Sequence, residues 1–160
     1  MSIQVGERMP SGEFGLMTNA KPATLSTDEL FSAKRVVLVS VPGAFTPTCS
    51  AKHLPGFIEL GDAIRAKGVD TIAFMAVNDV FVMDAWGHDQ NVGNAILMLA
   101  DGNCDYTAAL GLDVDSTAFG MGRRGQRFAL IVDDGVATGV YVEGPGEFKA
   151  SAADAVLENL

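Results

Sequence analysis

Three short apolar runs set the main constraint on this chain: "KRVVLVSVP" (Lys34–Pro42), "VDTIAFMAV" (Val69–Val77) and "AILMLA" (Ala95–Ala100). Runs of this length, with turn residues around them, read as strands buried on both faces. The intervening segments have a different rhythm. In "TCSAKHLPGFIELGDAIRAKG" the apolar residues Leu54, Phe57, Ile58, Ala63 and Ile64 recur at roughly helical spacing, and Gly68 closes the segment. Pro55 has no amide donor, so it is expected to kink that helix or limit its first part. "DVFVMDAWGH" (Asp79–His88) reads as a second helix. Strands alternating with helices imply parallel pairing through crossovers.

The C-terminal half changes character. "DGNCDYTAALGLDVD" is polar, with one helical turn expected in it, and "QRFALIVDDGVATGVYVE" alternates around Asp134-Gly135, the strongest hairpin signal in the chain. "SAADAVLENL" is expected to be a closing helix capped by Ser151. Near the N-terminus, Ser26 and Glu29 have the spacing of a capping box. The expected fold class is α/β: a central mixed sheet, parallel through the crossovers and antiparallel at the hairpin, between two helical layers. With 160 residues and no repeat or linker, residues 1–160 are expected to form a single domain.

Charge narrows the functional classes. Eleven basic against twenty acidic side chains give a net charge of −9, a poor match to a phosphate backbone, so no nucleic-acid role is expected. No apolar run approaches membrane-spanning length, and "MSIQVGERMP" does not resemble a signal peptide, so a cytoplasmic protein with no membrane role is expected. Two cysteines and two histidines match no metal-ligand spacing. Neither a metal nor a resident cofactor is expected.

Cys49 stands where a buried strand gives way to a helix, the edge at which open α/β sheets place their crevices. There a thiol faces unpaired amides and the positive end of the helix dipole, both of which favour the reactive thiolate. The alternative is a buried cysteine acting as a small hydrophobe. Its neighbours favour chemistry. Pro42 and Pro47 fix the backbone on either side of the turn, and Gly43 permits close approach of a bound molecule. Thr46, one turn before Cys49, can hydrogen-bond the sulfur or an incoming oxygen. The spacing is T-x-x-C rather than C-x-x-C, so disulfide exchange within the motif is impossible. A thiolate beside a hydroxyl and amides suits reduction of an O–O bond.

"PGAFTPTCS" resembles the peroxiredoxin signature P-x-x-x-T-x-x-C, carried by Pro42, Thr46 and Cys49. The longer "VPGAFTPTCSAKHLPGF" resembles the type-5, plant type-II branch, and the likeness continues through "KGVDTIAFMAVNDVFVMDAW", "LADGN" and "RRGQRFALIVDDG". The resemblance implies a thioredoxin-like three-layer α/β/α fold and a thiol peroxidase that reduces hydrogen peroxide and alkyl hydroperoxides. It makes Cys49 the peroxidatic thiol, oxidised to a sulfenic acid. Thr46 would orient the peroxide, Pro42 would shield the thiolate, and Arg127 would supply the guanidinium of the pocket. It also implies a homodimer, with aromatic residues such as Phe45 and Trp86 expected to meet a partner subunit.

Some relatives use a resolving cysteine, but "GEFKASAADAV" has Ala150 in that region and "DTIAFMAVND" has Phe74. A one-cysteine cycle is therefore expected, with glutathione, glutaredoxin, thioredoxin or another external thiol as reductant. Cys104 reads as an incidental loop thiol between Asp101 and Asp105, which disfavour its ionisation. His53, four residues after Cys49, is expected to serve capping or subunit packing. "GMGRRG" (Gly120–Gly125) spells a nucleotide-binding pattern but leads into a strand, so it is set aside. Its Arg123 and Arg124 are either solvated charges or attract an anionic thiol. Two rival readings remain: a redox sensor or binding module that signals peroxide to a partner, and a cysteine hydrolase using His53.

Overall fold

Strand β3 (Arg35–Ser40) lies inside a seven-stranded sheet in the computed structural model, which describes residues 1–160. Val37 and Val39 face one apolar layer, and Val36 and Leu38 face the other. Because successive side chains of a strand point to opposite faces, a strand buried on both sides must be apolar throughout. β4 (Thr71–Ala76) pairs with β3 in parallel, and β5 (Leu97–Ala100) pairs likewise with β4. On the other side of β3 lie β8 (Phe128–Asp133) and β9 (Val136–Val142), each antiparallel to its neighbour. Asp134 and Gly135 join them with φ of 45° and 80°, the left-handed pair that a two-residue hairpin turn needs.

The sheet is mixed, as expected, but one hairpin was not foreseen. β1 (Glu13–Thr18) and β2 (Lys21–Ser26) extend the sheet beyond β5, giving the order β2-β1-β5-β4-β3-β8-β9. Their turn is Asn19-Ala20, with φ of 52° and 62°. Alanine in place of the usual glycine hides it from a reading based on turn residues. β6 (Asp113–Asp115) and β7 (Arg123–Gly125) form a separate ribbon, and the glycine-rich "GMGRRG" does run into a strand.

α2 (Leu54–Ala66), α3 (Val80–Asp89) and α5 (Ala153–Glu158) cover one face of the sheet through Leu54, Phe57, Met83, Trp86 and Val156. α1 (Thr27–Phe31) and α4 (Asp105–Ala109) cover the other through Leu30, Phe31 and Tyr106. The result is the three-layer α/β/α, thioredoxin-like arrangement. Ser26 and Glu29 close the capping box of α1 reciprocally. Pro55 lies in the first turn of α2 and not in its interior.

Two expectations are corrected. Ser151 does not cap α5: the helix begins at Ala153 with Ala152 in the N-cap position, and the Ser151 side chain is turned toward Glu143, to which its hydroxyl donates. Trp86 is fully buried between α3 and the sheet, so it is not available to a partner subunit. Phe45 is half exposed.

Candidate active site

After β3 the chain runs through Val41 into a loop, Pro42–Thr46, turns helical at Pro47 and Thr48, and passes into a single π-turn, Cys49–His53. The Leu54 amide donates to the Cys49 carbonyl, five residues back. This wider turn inserts one residue ahead of α2, a distortion frequent at functional sites. The loop is held from several directions. Asn78, after β4, accepts from the Ala44 amide at 2.9 Å. Phe45 adopts a left-handed φ of 65°, a strained conformation for a bulky residue. A Cβ on Gly43 would stand 3.3 Å from both Arg124 Nη1 and Thr46 Cγ2, so a larger residue there would push these side chains by a few tenths of an ångström. Arg124 itself is tied down, donating to the carbonyls of Met121 and Val77. Arg123 pairs with Asp113.

Cys49 is fully buried, and two polar groups converge on its sulfur. The Thr46 hydroxyl lies 2.8 Å from Sγ, and Arg127 Nη2 donates to it at 3.1 Å. Arg127 immediately precedes β8, and its Nη1 donates to His53 Nδ1 at 2.8 Å. A guanidinium can only donate, so Nδ1 is the unprotonated nitrogen, and Nε2 carries the hydrogen that it gives to the Ser151 carbonyl at 2.9 Å. Phe57, Phe74 and Phe148 pack around the imidazole, with ring centroids 5.7, 5.5 and 5.0 Å away. This burial pushes the His53 pKa down to about 4, the Arg127 charge acting in the same direction.

The expectation for His53 is therefore corrected. It stands at the boundary of α2 but its side chain caps nothing, and it is buried within the subunit rather than presented to another. The signal was its spacing from Cys49; the missing information was that Arg127 arrives from the far end of the sequence. Glu143 was not anticipated at all. Its buried carboxylate accepts from the amides of Lys149, Ala150 and Ser151 and from the Ser151 hydroxyl. Burial alone would raise its pKa, but the bonds from Ser151, Lys149 and Ala150 outweigh burial and hold it below the ordinary glutamate range.

A cleft of about 290 Å³ opens beside this cluster, with Pro42, Thr48, Arg127, Glu143 and Phe148 on its walls. Cys49 is not itself on the wall; it joins the cleft through Arg127, which donates to its sulfur, and through Thr48, its neighbour in the chain. A larger depression of about 510 Å³ near the C-terminal end of α3 has neither thiol nor arginine in its lining, so chemistry rather than size marks the smaller one. Pro42, Thr46, Cys49 and Arg127, the four residues expected from the sequence, thus lie together.

The Redoxin family pattern matches residues 4–157. Peroxiredoxin-2B of Arabidopsis thaliana is 45% identical over 99% of this chain and 98% of its own length. The chain belongs to the peroxiredoxin family. Its place there is with the plant type-II, type-5-like members. The reduced Prx3 of Vibrio vulnificus in complex with H2O2 superposes with a TM-score of 0.94 at 49% identity, over 98% of each chain. The 1-Cys peroxiredoxin described as an antioxidant protein of Plasmodium falciparum superposes with a TM-score of 0.91 at 30% identity, over 98% of each chain. As a peroxiredoxin, the protein is a thiol peroxidase.

Cys104, its second thiol, lies apart from the cluster. It is buried, has a left-handed φ of 64° and opens α4, whose Tyr106 packs in the sheet layer opposite that of Cys49. Burial, followed by the charges of Asp101, Asp113 and Asp105, pushes its pKa up.

Proposed function

We propose that Cys49 is the peroxidatic nucleophile of a one-cysteine cycle in which an external thiol restores the sulfur. The observation that carries this reading is the convergence of the Thr46 hydroxyl and Arg127 guanidinium on Sγ. Both stabilise negative charge on sulfur, and both remain in place to orient a peroxide. The thiolate attacks the terminal oxygen of ROOH, an S–O bond forms as the O–O bond breaks, and the two-electron reduction releases RO⁻, which leaves as ROH after taking up a proton. Cys49 becomes a sulfenic acid. Pro42, on the cleft wall, shields the site from water.

A thiol such as glutathione then displaces water from the sulfenic acid to form a mixed disulfide. A second thiol, from glutathione, glutaredoxin or thioredoxin, reduces that disulfide. The electrons come from thiols, and no resident cofactor takes part. Three features support this cycle: residues 144–160 contain no cysteine, Phe74 fills the β4 position with a ring packed on His53, and Cys104 is buried beside acidic groups. A reducing compartment such as the cytoplasm fits such recycling, and the half-exposed Phe45 within the loop fits a homodimer.

Mass spectrometry after one equivalent of peroxide is the direct test. Sulfenic acid on Cys49, converted to a mixed disulfide by added glutathione, is the expected product; a Cys49–Cys104 bridge would refute the one-cysteine cycle. Cys104→Ser should leave turnover with glutathione and glutaredoxin intact. Stopped-flow mixing separates the enzyme, with fast peroxide consumption lost in Cys49→Ser, from a sensor that is oxidised slowly and stoichiometrically.

A further inference from the structure

The peptide between Gly43 and Ala44 is held at both ends. Its carbonyl accepts from the Thr46 hydroxyl at 2.7 Å and from the Thr46 amide at 3.4 Å, and its own amide donates to Asn78 Oδ1 at 2.9 Å. An amide can only donate, so the oxygen of the Asn78 side chain is the atom that faces it. A planar peptide gripped at its N–H cannot turn its C=O away, so Asn78 fixes the direction in which Gly43 presents its carbonyl to Thr46. Asn78 is itself anchored. It directly follows Val77, whose carbonyl accepts from Arg124 Nη1 at 3.2 Å, and Arg124 also donates to the Met121 carbonyl.

The turn that Asn78 grips is strained. The Thr46 amide and Gly43 carbonyl close a β-turn over Ala44 and Phe45. Phe45 has a φ of 65° while Ala44 is not left-handed, the pattern of a type II turn, whose third position ordinarily needs glycine. A bulky residue persists there only where the surroundings hold it. We propose that Asn78 is a positioning residue for peroxide reduction, an acceptor that locks the Gly43–Ala44 peptide and so keeps the Thr46 hydroxyl on the sulfur of Cys49. Arg127, the other donor to that sulfur, is held separately by His53. The assignment rests on Cys49 being the nucleophile, and Asn78 acts on it only through Thr46.

The test measures the second-order rate constant for hydrogen peroxide across a pH series. Asn78→Ala removes the acceptor and should slow the reaction roughly five- to fiftyfold at neutral pH, the range for one lost hydrogen bond. Its pH–rate profile should move to higher pH, because a thiolate without its hydroxyl donor is harder to form. The cations nearby, Arg124 beside Gly43 and Arg127 on the sulfur, are the same in every variant. Asn78→Asp keeps an acceptor of the same shape, and its rate on the high-pH plateau should stay within roughly threefold of the parent. Combined with Thr46→Val, Asn78→Ala should cost less than about twofold more, because Asn78 acts through Thr46. In a Phe45→Gly background, where the left-handed turn needs no support, it should cost less than about threefold. A purely structural asparagine predicts the reverse: rates that follow thermal stability, an unmoved pH profile, and the same loss in all three backgrounds. Any of these overturns the proposal, as does an Asn78→Ala variant as fast as the parent.

Should Asn78→Ala fail to fold, Asn78→Gln decides the matter, since it keeps the amide but sets its oxygen one methylene out of place. It should slow the parent severalfold and have no effect beside Thr46→Val, and an equal effect in both backgrounds overturns the assignment. Failure of the peroxidase reading would look different: the parent protein itself would not react rapidly with peroxide.

Discussion

The hydroxyl of Thr46 lies between two acceptors, 2.8 Å from Cys49 Sγ and 2.7 Å from the Gly43 carbonyl. One hydroxyl proton cannot serve both. With a protonated thiol, S–H donates to Thr46 Oγ1 and the hydroxyl donates to Gly43. With a thiolate, the hydroxyl turns its proton to sulfur. Thr46 thus follows the ionisation of Cys49 without moving a heavy atom.

This switch predicts a sharp difference between two replacements. Thr46→Val keeps the shape and removes the hydroxyl, and its rate constant with hydrogen peroxide should fall by roughly 10²- to 10³-fold, as when one preorganised donor is lost. Thr46→Ser should retain activity within about tenfold. Competition kinetics against a second peroxidase measures both; equal rates for Val and Ser would remove the hydroxyl from the mechanism.

Trp86 is the only tryptophan, and its Nε1 donates to the Ser50 hydroxyl at 3.0 Å, next in the chain to Cys49. Oxidation at Cys49 enlarges the sulfur group inside the π-turn, so the indole environment should change with it. One equivalent of peroxide is expected to alter the intrinsic fluorescence at the rate of sulfenic acid formation, with no change in Cys49→Ser. An emission that stays flat while mass spectrometry shows oxidation would refute this coupling.

Stability should fall on mild acidification. Unfolded, His53 takes up a proton near its ordinary pKa of 6.5; native, it resists until about 4. Between these values the unfolded state binds more protons, so stability decreases as pH drops from about 6.5 to about 4, by on the order of 3 kcal/mol. Glu143, held below the ordinary glutamate range, contributes stability above its unfolded pKa that is likewise lost as pH falls through its native one. Urea midpoints at pH 7 and pH 4.5 measure chiefly the imidazole's share, which His53→Gln should remove, and midpoints taken below pH 4.5 add the share of Glu143.

The capping box provides a control remote from the sulfur. Ser26→Ala removes the acceptor for the Glu29 amide and should cost about 1 kcal/mol in urea unfolding. The peroxide rate constant should not change.

Local patterns carried much of this structure. The strands around Val37, Phe74 and Ile131 followed from apolar runs and alternation, and the hairpin from Asp134-Gly135, because each is written in adjacent residues. The β1–β2 hairpin was missed where alanine stands at a left-handed turn position. The β6–β7 ribbon was missed because three-residue strands are too short to show a period. Arg127 came from resemblance to a family, since nothing in its neighbourhood connects it with Cys49.

The sequence by itself determined that a thiol lies between a buried strand and the helix after it, one turn beyond a threonine, since spacing along the backbone dictates both. Tertiary structure alone decided what surrounds that thiol. Pairing of Ser40 with Phe128 across β3 and β8 puts Arg127 beside the loop after β3, and the turn beyond β9 brings Glu143 and Ser151 to His53. Those neighbours are separated by 74 to 98 residues along the chain. Strand register brings them together, and register is set by burial of the whole sheet rather than by any stretch of sequence near the sulfur.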